Sequence, residues 1–278
     1  MFDECPRNPM PSAGHQKPPT QACRDLYSYE LAARGGDAFR ATSVTRRCNF
    51  RNLSFIMGQQ QMDFMDKFIA AHAVPKEALA HFAANDFTNK HLSNPLYRPI
   101  PTYSRVLKDD GEDFFFSRTV ATPTTIPYLV TLQLKDFPFA EDSPKGTLKT
   151  GQGHKAVVKV PENPDCVMLL HLARPGVDGH PATIHGGVAC AILDEMMGLC
   201  VMLHHQHLEG ARESLYTAGL NVTYRAPVPT PSDVIVKCWL EGREGRKWKS
   251  RGQIINKDGL VMTEAEGLWV LARNEVKL

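Results

Sequence analysis

One stretch constrains everything around it: TIHGGVACAILDEMMGLCVML, residues 183–203, is apolar on nearly every helical face yet carries Asp194 and Glu195 at its middle. Its length would suit a membrane crossing, but two carboxylates at the centre of a lipid bilayer are costly, so no membrane span is expected. A helix without a polar face has to be enclosed by protein. The sequence that follows supplies a wall. Tyr216 to Tyr224 alternates, with Tyr216, Ala218, Leu220, Val222 and Tyr224 on one side and Thr217, Gly219, Asn221 and Thr223 on the other. Strands at Val234 to Leu240, Ser250 to Ile255 and Leu260 to Leu271 come next, joined by the polar loop EGREGRK and the turn Asn256-Lys257-Asp258-Gly259. A strand at Val167 to Leu172 and a Gly/Pro-rich loop precede the helix. One helix followed by four antiparallel strands predicts an α+β domain whose antiparallel sheet wraps around the helix.

The chain has 278 residues, room for such a domain and an extension at roughly 100 to 200 residues per domain. Three segments are expected: a loosely attached or disordered N-terminus over 1–46, rich in Pro, Gly, Ser and Arg; an N-terminal extension over 47–150; and the sheet-and-helix domain over 151–278. In the extension, Met62, Met65, Phe68 and Ile69 recur at helical spacing, and Pro75 opens a short helix through Phe82. Glu112 to Val120 and Tyr128 to Leu134 read as strands, followed by a linker around Ser143 to Gly153.

A net charge of +2 gives no electrostatic preference for nucleic acid. The seven cysteines form no C-x-x-C pair, which suits a reducing compartment. A cytoplasmic location is expected, with a mitochondrial one as the alternative, because the arginines between Arg24 and Arg47 are interrupted by Asp25, Glu30 and Asp37.

Two features carry chemistry. Asp194 and Glu195 are the only formal charges between Ile184 and Leu203. They either leave through a gap in the sheet, or one is a general base or nucleophile tuned by its apolar surroundings. Gly186 and Gly187 open the same helix, either as a plain turn or as a source of free backbone N–H groups for a developing oxyanion. Eight positions separate Gly186 from Asp194, about 12 Å along a helix at ~1.5 Å per residue. One helix can hardly bring both to a single carbonyl. Two helices related by a two-fold axis can, which predicts a homodimer, or a dimer of dimers, with composite sites.

The motif G-H-P-x-x-x-H-G-G-V-x-x-x-I-L-D-E-x-M-G, Gly179 to Gly198, resembles that of hotdog-fold acyl-CoA thioesterases of the phenylacetate-pathway type. TAGLNVTYRAPVP, Thr217 to Pro229, and EGRK, Glu244 to Lys247, are similar to a mammalian member of that superfamily, and the upstream region resembles extensions of fungal thioesterase-like proteins. The resemblance implies a hotdog fold, an acyl-CoA substrate and thioester hydrolysis without a cofactor. It implies that His185 and Gly186 line the oxyanion side, that Asp194 activates water or attacks directly, and that Thr217 holds it. Gly187 and Glu195 join as substrate-binding candidates, and Arg225, Arg246 and Lys247 as basic groups for the phosphates of CoA. Competing expectations are a thioesterase for acyl groups on a carrier protein, a non-catalytic acyl-binding protein, and a dehydratase, which would require a catalytic histidine. No metal is expected at His204-His205-Gln206-His207, where a solvated helix C-terminus accounts for the run and no carboxylate or cysteine completes a ligand set.

Overall fold

The computed structural model describes residues 64–136, 162–209 and 214–272, all within one unit, Gly58–Leu278. The segments expected at 1–46 and 143–153 lie outside the described residues. Three short helices come first: α1 (Phe64–Ala71), α2 (Lys76–Ala83) and α3 (Asp86–Leu92). Pro75 stands at the N-cap of α2, and Asn85 caps α3 by accepting from the Phe87 N–H at 3.0 Å. Then come β1 (Tyr97–Ile100), β2 (Leu129–Leu134), β3 (Cys166–Leu172), the small hairpin β4 (Asp178–His180) and β5 (Thr183–Ile184), and the long helix α4 (Gly186–Glu209). Strands β6 (Leu215–Tyr224), β7 (Ser232–Glu244), β8 (Lys247–Ile255) and β9 (Val261–Leu271) complete the chain.

Seven strands form one antiparallel sheet in the order β1-β2-β3-β7-β8-β9-β6. Two of them, β1 and β2, come from before residue 150, so the sheet runs continuously into the extension. Period-2 alternation gives the sheet two apolar faces. Met168, Leu170, Val234, Val236 and Trp248 point inward onto Ile192, Leu193, Met196 and Met197 of α4. Val167, Leu169 and Ile235 point outward onto Ala78 and Phe82 of α2. Each fully buried Ile or Leu contributes about 1.5–3 kcal/mol, so α4 is fixed mainly by its apolar content. At Gly252 the helix and β8 meet closely enough that a Cβ would lie 2.7 Å from the Met197 side chain. This sheet around one long helix is the hotdog arrangement.

Three expectations need correction. Glu112 to Val120 is not a strand. Gly111 and Asp113 take positive φ, the Asp110 side chain accepts from the Glu112 N–H, and residues Phe115–Thr119 form a π turn closed by Val120 N–H donating to Phe115 C=O at 2.9 Å. Phe116 is buried beside exposed Phe114 and Phe115, so this aromatic run has no strand alternation. EGREGRK is mostly strand, reduced to the two-residue turn Gly245-Arg246 between Glu244 and Lys247. The alternation of β6 is broken by a bulge between Thr217 and Gly219.

Within one chain α4 is enclosed on all but one side. His185, Gly187, Cys190, Ala191, Asp194, Glu195, Gly198 and Met202 remain partly or fully exposed at helical spacing, beside the edge strand β6, where Tyr216 and Tyr224 are also exposed.

Candidate active site

Asp194 sits on that open side of α4, half-buried. The Thr217 hydroxyl on β6 donates to Asp194 Oδ1 at 2.8 Å. This bond fixes one carboxylate oxygen and orients the other. Both residues line a cavity of about 280 Å³ with Glu195, Tyr103, Met202 and Trp269. Burial pushes the Glu195 carboxyl up to about 7, the Ser104 hydroxyl pulls it down, and the Asp113 and Asp194 carboxylates add to the rise. The cavity thus holds two adjacent acids in different environments, one held by a threonine and one inclined to keep its proton near neutral pH.

The remaining wall was not legible in the sequence. Tyr103, Glu112 and Asp113 come from the segment between β1 and β2 and reach the cavity from about 80 to 90 positions upstream of Asp194. Tyr103 packs edge-on against Phe64 and Phe68 of α1, with the Lys108 ammonium 3.8 Å from its ring centroid. No local pattern marks these residues as site-forming.

His185, Gly186 and Gly187 lie together at the start of α4. The His185 N–H donates to Val177 C=O at 2.8 Å, and its Nδ1 accepts from the Gly187 N–H at 3.0 Å, so the imidazole caps the helix. The Tyr224 hydroxyl donates to Gly186 C=O at 2.9 Å and meets Cys190 Sγ at 2.8 Å. A tyrosine hydroxyl has one proton, so the thiol donates in the second contact. Tyr224 is thus an unanticipated component of the helix start. None of residues 185–187 lines the Asp194 cavity.

The basic candidates separate. Arg225 follows β6 at the helix-start end and bonds Glu264 through Nε at 3.0 Å. Arg246 and Lys247 are exposed at the β7–β8 turn. Lys247 there pairs with Val270, which pairs with Tyr216, the neighbour of Thr217.

The histidine run is a further correction. His204 and His205 are buried, not solvated. His204 Nε2 lies 3.1 Å from Asp165 Oδ2, which also accepts from the Leu240 N–H, and Asp165, Cys200 and His204 gather as potential ligands, so a carboxylate and a cysteine do accompany the run. Burial alone would push the His204 imidazole down, but hydrogen bonds to Asp165 and Cys200 raise it to about 9.

Residues 182–263, from the helix approach to β9, match the model of the thioesterase superfamily. That segment, 82 of the 278 residues, is similar to the thioesterase superfamily. Across a wider span the chain is similar to the acyl-coenzyme A thioesterase THEM4 of Bos taurus, 27% identical over 182 residues, which are 65% of this chain and 69% of that protein. THEM4 of Mus musculus is 38% identical over 78 residues, 28% of either protein. Among solved structures, the thioesterase superfamily member 2 of Mus musculus is 12% identical with a TM-score of 0.33, over 39% of this chain and 80% of that one. A Bacillus halodurans protein solved with CoA is 21% identical with a TM-score of 0.35, over 40% and 69%. The matched thioesterase-superfamily segment contains Gly186, Asp194 and Thr217.

Proposed function

We propose that the chain is an acyl-CoA thioesterase, hydrolysing the thioester to a free acid and CoA at a site built around Asp194. The observation that carries this reading is the 2.8 Å bond from Thr217 to Asp194 at the edge of a cavity. With Oδ1 engaged, Oδ2 is the oxygen available to take a proton from water. The water oxygen adds to the thioester carbonyl, the C–S bond breaks, and the proton ends on the CoA sulfur. Developing charge on the carbonyl oxygen needs N–H donors within roughly 3 Å, and the Gly186 N–H of a second chain is the proposed source. The partly exposed side of α4 and the position of β6 at the end of the sheet, with no further strand beside it among the described residues, support this dimer.

The test is thiol release from acyl-CoAs, acetyl to palmitoyl, and from matched acyl groups on a carrier protein, with wild type beside Asp194→Asn. CoA turnover lost by two or more orders of magnitude in the variant supports the reading. Turnover confined to the carrier-protein donor reassigns the substrate. Unchanged turnover in Asp194→Asn removes the proposed mechanism.

A further inference from the structure

On the outer face of the sheet, opposite α4, three donors from three elements converge. His81 Nε2 on α2 lies 2.9 Å from Asp233 Oδ1 on β7, and His171 Nδ1 on β3 lies 2.7 Å from the same oxygen. His171 and Asp233 are register partners across β3 and β7, and the three ligand atoms lie within 4.8 Å of one another. The other carboxylate oxygen accepts from Asn85 Nδ2 at 2.7 Å, while Asn85 Oδ1 accepts from Phe87. The Asn85 amide is thereby fixed, and its bond to Asp233 Oδ2 turns Asp233 Oδ1 toward both imidazoles. The His81 ring is further oriented by stacking on Tyr128, centroids 4.6 Å apart. Side-chain exposures of 28% for His81, 23% for His171 and 10% for Asp233 leave a path from solvent.

We propose that His81, His171 and Asp233 form a binding site for a zinc-class divalent cation, which would clip α2 to the sheet. Two imidazole nitrogens and one carboxylate oxygen are a zinc donor set that leaves a fourth position for water. A carboxylate oriented by a neighbouring amide is the outer-shell arrangement such sites use. Bonds of about 2.1 Å at tetrahedral angles place ligand atoms about 3.4 Å apart, so the 2.9 and 2.7 Å spacings between each imidazole nitrogen and Asp233 Oδ1 need to open by roughly half an ångström or slightly more. A ring nitrogen facing a carboxylate oxygen carries a hydrogen, so each imidazole donates an N–H to Asp233 Oδ1. Moving that proton to the other ring nitrogen frees the ligating lone pair, and the metal takes the place of two shared hydrogens. The site lies on the far face of the sheet from Asp194, so it is independent of the proposed hydrolysis.

The test uses the full chain, stripped with chelator and titrated with zinc chloride by calorimetry, and with cobalt chloride by visible absorption. One zinc per chain is expected, with cobalt bands of low coordination number and a zinc-dependent rise in Tm. His81→Gln, at a partly exposed position on a short helix, should weaken zinc at least tenfold and abolish the Tm rise, and Asp233→Asn should do the same. Cys200→Ala should bind zinc as wild type does, because it alters only the enclosed Asp165–Cys200–His204 group. Equal zinc binding in wild type and His81→Gln, no zinc binding by wild type, or loss of zinc in Cys200→Ala instead would overturn the assignment.

Discussion

Thr217 and Asp194, on β6 and α4, are joined by a 2.8 Å hydrogen bond across 23 positions of sequence. A hydrogen bond to a charged group is worth about 1.5–3 kcal/mol, so Thr217→Val should lower kcat/KM for acyl-CoA by about 10- to 100-fold. Thr217→Ser should retain most of the activity, because the hydroxyl remains. Steady-state thiol release on the two variants checks this, and a valine variant with wild-type turnover would show that the bond is incidental.

Glu195 predicts a pH dependence of stability. Its carboxyl is raised from 4.5 to about 7 in the folded chain, chiefly by burial. Between these values the folded state binds more protons than the unfolded state, so stability falls as pH rises through that window and levels off above it. Thermal scans from pH 5 to 8 should show a drop in Tm of a few degrees that Glu195→Gln lacks. Identical slopes in the two proteins would mean that the acid is ionised throughout.

The His204–Asp165 pair behaves with the same sign for the opposite reason. His204 is raised from 6.5 to about 9, so the stability it contributes is complete below about 6.5 and is lost as pH rises through about 9. Removing one member of a buried pair costs about 3–5 kcal/mol. Asp165→Asn should therefore show a much lower denaturation midpoint at pH 7, and His204→Gln should flatten the decline above neutral pH.

A Cβ at position 252 would fall 2.7 Å from Met197 and 3.1 Å from Leu193. Overpacking of this kind costs about 1–3 kcal/mol. Gly252→Ala should be measurably less stable in urea, and the same substitution at Gly219, where nothing lies within 4 Å, should not disturb packing.

The parts of the fold legible in the sequence are those governed by local periodicity. An apolar run of helix length at Gly186, and strand-like runs separated by polar turns after it, locate α4 and β6 to β9 within a few residues. Glu112 to Val120 misleads because three consecutive phenylalanines look strand-like, whereas the left-handed Gly111 and Asp113 reverse the chain there. The cavity is legible only in part. Asp194 stands out as a charge within an apolar helix, but its bond to Thr217 crosses a sheet edge and was inferred from resemblance alone. Tyr103 and Asp113 reach it through tertiary packing that no window of sequence contains. His204 and His205 read as solvated because their partners, Asp165 and Trp248, lie 39 and 43 positions away.

The placement of α2 and α3 has a consequence for assembly. They occupy the outside of β2, β3 and β7 with Phe82 and Ala78 seated on Leu169 and Ile235. That surface is therefore already spent internally, and two such molecules cannot stack back to back through it. Any assembly beyond the proposed pair of chains would have to use a different surface, so the extension would limit quaternary geometry as well as cover the sheet.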